Sequence, residues 1–163
     1  MSLLETGAFV VRGDEAEQLE FPVQVMQLLA DKADAAGAFS VVRGTLQTGA
    51  DGARPHTHKG SSELFYVLDG CVDILVGEDV VSAGKGDLAI VAPNTLHAFA
   101  AAKGHMADLL ILFSPAIDRF DYFRLLKNVV DGKGTGPDIL ASQERFDNWF
   151  ADTAAWNAYR GGQ

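Results

Sequence analysis

Four histidines occur in the 163-residue chain, and two of them stand two apart in Pro55-His56-Thr57-His58. In an extended segment residues i and i+2 project from one face, so both imidazoles point the same way and can converge on one metal ion. Glu63 follows the short polar loop Lys59-Gly60-Ser61-Ser62, which lets the chain reverse and bring a carboxylate back beside the rings. By period two, Glu63 shares a face with Phe65 and Val67. An ionised carboxylate on an apolar interior face is costly unless it is paired or coordinated, and an ion supplies the partner. His97 closes the run Gly86 to Leu96, which reads as a strand followed by a Pro/Asn turn, and leads into Ala98-Phe99. These residue types together point to a metal site, whereas His105, beside Gly104, reads as a solvated hairpin tip.

The elements that must position these side chains are short and apolar. Ala38 to Arg43, Leu64 to Leu68, Val72 to Val76, Leu88 to Val91 and Asp108 to Phe113 have the length and composition of strands, punctuated by glycines. A spacing of about ten residues between them predicts an antiparallel sandwich or barrel rather than βαβ units. Asp69-Gly70 and Glu78-Asp79 read as hairpin turns. At Ser114-Pro115 the pattern changes: Ser suits an N-cap and Pro the first helical turn, and Ile117, Phe120, Phe123, Leu126 and Val130 then recur at three or four. That helix is stopped by Asp131-Gly132. A second helical pattern opens at Pro137 with Ile139, Leu140, Gln143, Phe146, Trp149 and Phe150. The tail from Asp152 to Gln163 is polar apart from Trp156 and Tyr159 and is expected to fray. The loop Gly132 to Gly136 lacks the order of a phosphate-binding loop and follows a helix, so it reads as a helix terminator.

With these residues in hand, the sequence resembles the cupin superfamily. The first cupin motif stands as His56-x-His58, four residues, Glu63, six residues and Gly70; the second stands as Pro93-Asn94-Thr95-Leu96-His97. Ala50 replaces the glycine expected six before the first histidine, between Gly49 and Gly52, and Asn94 takes the place of the turn glycine, a substitution that a left-handed backbone tolerates. The outer asparagine often found after the second motif is Ala101. The match covers Gly49 to about Pro115, and the whole chain looks like the small single-domain quercetin-dioxygenase-like cupins. The resemblance implies an all-β fold, an antiparallel jelly-roll barrel over about residues 8–114. A helical extension over about 115–151 packs outside it, and the tail spans 152–163. It implies His56, His58, Glu63 and His97 as metal ligands, and a homodimer formed through the sheets.

Three neutral imidazoles and one carboxylate offset one charge of a divalent ion, and four protein ligands leave two positions of an octahedron open. Such a centre attracts an anionic ligand such as an enolate, a catecholate or a carboxylate. The N and O donors suit Fe, Mn, Ni, Co, Cu or Zn. The resemblance implies a dioxygenase acting on a small aromatic or enolic molecule, with an isomerase, decarboxylase, cyclase or non-catalytic binding barrel as the alternatives. Glu63 is the candidate catalytic group, as metal ligand or, swung off the ion, as general base. Phe39, Phe65 and Phe99 are the candidate pocket wall.

Composition bounds the rest. Thirteen basic and 22 acidic residues give a net charge of −9, a field that disfavours nucleic acid and anionic membrane as partners and leaves a small molecule. Forty-eight per cent hydrophobic residues suit one soluble domain. Met1 to Glu5 has no basic start or apolar run of a secretory leader, and Cys71 is a single cysteine that reads as a packed residue. A cytoplasmic setting is the expectation.

Overall fold

The computed structural model describes residues 7–161; the N-terminal stretch read for a leader lies outside them. Among the described residues ten strands run in antiparallel pairs: β1 (Gln18–Glu20), β2 (Gln24–Ala30), β3 (Ser40–Leu46), β4 (His56–Thr57), β5 (Ser62–Val76), β6 (Asp79–Gly84), β7 (Leu88–Val91), β8 (His97–Ala101), β9 (Ala107–Ser114) and β10 (Trp149–Phe150). The helices are α1 (Arg119–Val130), α2 (Gly136–Ala141), α3 (Gln143–Phe146) and α4 (Ala154–Gly161). The hydrogen-bonded path runs β1-β2-β3-β9-β5-β8-β4-β10 without closing, with β6 and β7 also paired to β5. The result is jelly-roll-like.

The expected turn at Asp69-Gly70 is not a turn. β5 continues through it for 15 residues and changes partners there: Ser62 to Gly70 pair with β9 and, in part, β7, whereas Cys71 to Val76 pair with β6 and β8. The register slips between Val67 and Asp69, and Gly70 takes a φ of +75°. A side chain at Gly70 has no room, because a Cβ there would lie 2.0 Å from the Met106 carbonyl oxygen. Gly70 is thus the corner at which one strand passes from the first half of the sheet to the second. The true hairpin loop is Gly77-Glu78, since Val76 pairs with Asp79, one residue ahead of the sequence reading.

Alternation along the first half of β5 buries Glu63, Phe65 and Val67. In the second half Val72 to Leu75 are all buried, because both faces are covered. Val72 and Ile74 join the main core with Phe99, Leu109 and Ile111, while Leu75 lies with Ala98 and Ala100 under Trp156 of α4. The tail expected to fray is therefore a docked helix: Trp156 is buried, Tyr159 donates to Asp73 and Arg160 pairs with Asp51. Two aromatic side chains at helical spacing suffice to seat it.

The C-terminal helices also differ from expectation. Ser114 ends β9 and its hydroxyl donates to the Ala38 carbonyl rather than capping a helix, and the Pro115 carbonyl accepts from Ser61. α1 starts at Arg119. The second helical pattern divides into α2 and α3; Asp147 in a left-handed conformation ends α3, and Trp149–Phe150 become a strand on β4, with Phe150 opposite His56. No helix of the described residues is long and apolar enough to cross a membrane.

Candidate metal centre

β4 and the loop after it carry His56 and His58, the first half of β5 carries Glu63, and β8 begins with His97, so the bend at Gly70 brings ligands from both halves of the sheet to one point. All four residues are buried, at 1–3% exposure, and one donor atom from each lies within 4.8 Å of the others. Glu63 Oε2 is 2.7 Å from His97 Nε2, 3.0 Å from His58 Nε2 and 3.8 Å from His56 Nε2.

Each imidazole is oriented through its other nitrogen. His56 Nδ1 lies 2.8 Å from the Arg54 carbonyl, His97 Nδ1 2.9 Å from that of Thr95, and His58 Nδ1 2.5 Å from that of Asp147. A carbonyl only accepts, so all three Nδ1 atoms carry hydrogen and donate, which leaves every Nε2 turned toward Glu63 as a potential ligand atom. The Asp147 carboxylate also accepts from the Lys59 and Gly60 amides and from Trp149 Nε1, fastening the ligand loop to the start of β10.

Burial and charge act in opposition on these groups. Burial lowers the His56 pKa to about 4. It works the same way on His97, where the hydrogen bond to Glu63 outweighs it and raises the pKa. Burial would raise Glu63, yet hydrogen bonds from the three histidines hold it well below the usual carboxylate range. The site thus keeps an anionic Glu63 beside an unprotonated His56 in the interior, and its N and O donors suit a divalent transition ion. Among the described residues this is the one such cluster with a histidine set, and exposed His105 lies outside it.

A cavity of about 390 Å³ opens from His56 and Glu63. Phe99, Ile111 and Phe113 line it from the sheet, Tyr122 and Phe123 of α1 from above, and Phe150 from β10. The candidate wall residues divide. Phe99 lines the cavity. Phe65 is fully buried behind it, with its ring 5.1 Å from that of Phe99 and 6.5 Å from that of His97. Phe39 is 36% exposed and lies away from the cavity, because the inward positions of β3 begin with Ser40. Gly52 allows Phe99 its place: a Cβ there would come within 2.4 Å of the Phe99 ring.

Among the lining residues that escaped sequence reasoning are two buried polar ones. Arg119 is 1% exposed, with its guanidinium carbon 4.2 Å above the Phe113 ring and 4.9 Å from that of Tyr122. Its signal was present as a charge at helical spacing from Tyr122, Phe123 and Leu126, on the apolar face. Asn148, 3% exposed, follows the left-handed Asp147 and had no such pattern.

A cupin-domain family model matches residues 42–113, the span that holds all four cluster residues and the Gly70 corner. Residues 42–113 therefore carry a cupin domain. A search of curated proteins gives no match. Among solved structures, the chain is similar to KdgF from Halomonas sp., at 19% identity and a TM-score of 0.60, covering 69% of this chain and 98% of that one. It is similar to an RmlC-like cupin from Shewanella frigidimarina, at 22% and 0.59, covering 69% and 96%. It is also similar to the polyketide cyclase RemF from Streptomyces resistomycificus, at 15% and 0.56, covering 76% and 97%. At these identities the likeness is one of fold.

Proposed function

We propose that this cupin is a metal-dependent enzyme, a mononuclear dioxygenase acting on a small aromatic or enolic molecule. The observation that carries this reading is the position of the four-residue cluster: it stands at the end of an aromatic-walled cavity, so that an ion held there would face a substrate-sized space. His56, His58, Glu63 and His97 would hold the ion, one of Fe, Mn, Ni, Co, Cu or Zn. When bound, it would supply Lewis acidity and a site where an ionised hydroxyl and dioxygen meet.

The chain's own residues do the rest. Phe99, Phe113 and Phe150 exclude water and hold a planar ring. Glu63 accepts a hydroxyl proton at a carboxylate oxygen when substrate enters, and the hydrogen-bonded His97 ring stabilises the resulting charge distribution. The test is oxygen uptake by metal-loaded protein over a panel of flavonols, catechols and diketones. No uptake with any of them overturns the dioxygenase reading.

A second reading, metal-assisted isomerisation, decarboxylation or cyclisation, needs no oxidant and would use Glu63 as the base at the same cavity; RemF, which shares the fold, is a polyketide cyclase. Turnover under strict anaerobiosis decides between the two. We further propose a homodimer in solution, supported by Tyr66, Leu88 and Ile90, exposed together on the outer face of β5 and β7; sedimentation analysis tests it.

A further inference from the structure

Arg119 is the largest fully buried side chain of the fold, and it sits without an ion-pair partner among the described residues. One terminal nitrogen is 3.2 Å from both ring nitrogens of His58. Equal distances to both mean that it lies across the imidazole face and is not donating along one lone pair. The plane is held by the rings of His58, Phe113 and Tyr122, while its backbone amide donates to Asp31. The Nε–H, buried from solvent, has no acceptor. Asn148 shows the same deficiency: its side-chain Nδ2 is buried and unpartnered. Both residues line the cavity that opens from His56 and Glu63.

Buried donors without acceptors are rare, because each forfeits its hydrogen bond to water on folding. A fixed guanidinium in an aromatic cage is more costly still unless its charge meets an anion. Two such donors on one cavity wall describe a receptor for a ligand whose oxygens complete them. With an ion held by three imidazoles and one carboxylate, the site carries one positive charge, and Arg119 adds a second. A neutral molecule would leave both uncompensated.

We propose that the substrate carries a carboxylate attached to an apolar, ring-bearing body, and that Arg119, assisted by Asn148, receives that carboxylate. The ring then lies among Phe99, Phe113 and Phe150. This deepens the proposed function by naming the substrate class, and it rests on that reading for the ion alone; the carboxylate receptor is built by Arg119 and Asn148.

The test compares binding of naphthalene-2-carboxylate and naphthalene-2-carboxamide, matched in shape and differing in charge, to metal-loaded protein by calorimetric or NMR titration. Metal content is measured in the same samples. A charge-assisted hydrogen bond lost in a buried site is worth about ten- to a hundred-fold in affinity, so the carboxylate should bind wild type better than the amide by about that factor. In Arg119→Met the preference should fall to about threefold or less with metal content unchanged. Asn148→Ala should lower it by a smaller factor. Equal binding of the two probes to wild type overturns the proposal. So does an undiminished preference in Arg119→Met, which would assign the carboxylate to the ion. If Arg119→Met does not fold, Arg119→Lys keeps the charge without the planar fork, and a several-fold loss of preference is expected; full retention there refutes the assignment. Absence of metal in wild type would remove the enzyme reading while the comparison of probes still stands, so the two failures are distinguishable.

Discussion

Replacing Gly70 by alanine tests the corner on which the site depends. The residue has a φ of +75°, a conformation that costs an L side chain about 1–2 kcal/mol. The new Cβ would also sit 2.0 Å from the Met106 oxygen and 2.8 Å from its carbonyl carbon. Relief requires a movement of about 1 Å or more, judged from ordinary van der Waals contact. That movement pulls the Met106 carbonyl from the Cys71 amide, 3.0 Å away, at a cost of about 1 kcal/mol. It also disturbs fully buried Ala107 at the head of β9, where overpacking costs about 1–3 kcal/mol. The total expected is about 4 kcal/mol, a fall in melting temperature of about 12 °C for a domain of this size. Gly77→Ala is the control: its φ is +67°, but nothing lies within 4 Å of the added atom. It should lose only the backbone cost, about 4 °C. Thermal and urea unfolding of both variants, followed by circular dichroism, gives the comparison. Equal losses in the two would refute the argument that close approach of β9 defines the corner.

Further outcomes are expected from other parts of the molecule. Trp156→Ala removes the buried anchor of α4 and should destabilise by about 3–5 kcal/mol in equilibrium urea unfolding, far more than a frayed tail would show. Asp147→Ala frees the Lys59 and Gly60 amides beside His58 and should weaken metal binding about 10–100-fold in a chelator competition. Stripping the ion from protein held at a free metal concentration of about 100 Kd should cost about 2.7 kcal/mol, read as a lower melting temperature by calorimetry. The metal-free protein should also lose stability on acidification. His56 titrates near 4 when folded and near 6.5 when unfolded, so the unfolded chain binds the proton first, and about 3 kcal/mol is lost between pH 6.5 and 4. His97, whose pKa is raised, contributes fully throughout that window, and Glu63, whose pKa is lowered, loses its contribution only below about 4.5. Denaturant midpoints that stay flat from pH 7 to 4 would contradict the burial of His56.

The site was legible where chemistry forces residue types into short spacing. His56, His58 and Glu63 lie within eight residues, and the alternation of β5 places Glu63 inward with Phe65 and Val67, so sequence periodicity sufficed. It failed where the cause is distant. Asp69-Gly70 has the composition of a turn, and only the carbonyl of Met106, brought there by β9, reveals that the glycine serves close approach within one strand. Phe39 lost its place in the pocket through a one-residue difference in register, which moves a side chain to the opposite face. β2 was not anticipated because Gln24 to Ala30 is rich in helix-compatible residues and becomes a strand only through pairing with β3. β10 is two residues long, and its Trp149 and Phe150 continue the helical period of the segment before them, so only pairing with β4 marks them as a strand.

The origins of the three histidine anchors bear on the order in which the molecule is made. His56 and His97 donate to carbonyls two residues before them, so each ring is oriented as soon as its own turn exists. His58 donates to a carbonyl 89 residues later. During synthesis the strands through β9 emerge before that carbonyl does, and until it arrives the emerging protein presents two aligned imidazoles and one unguided one. An ion captured at that stage would meet a looser set of donor atoms than the finished cluster provides. A protein interrupted before Asp147 would carry all four cluster residues with His58 lacking the carbonyl that orients it.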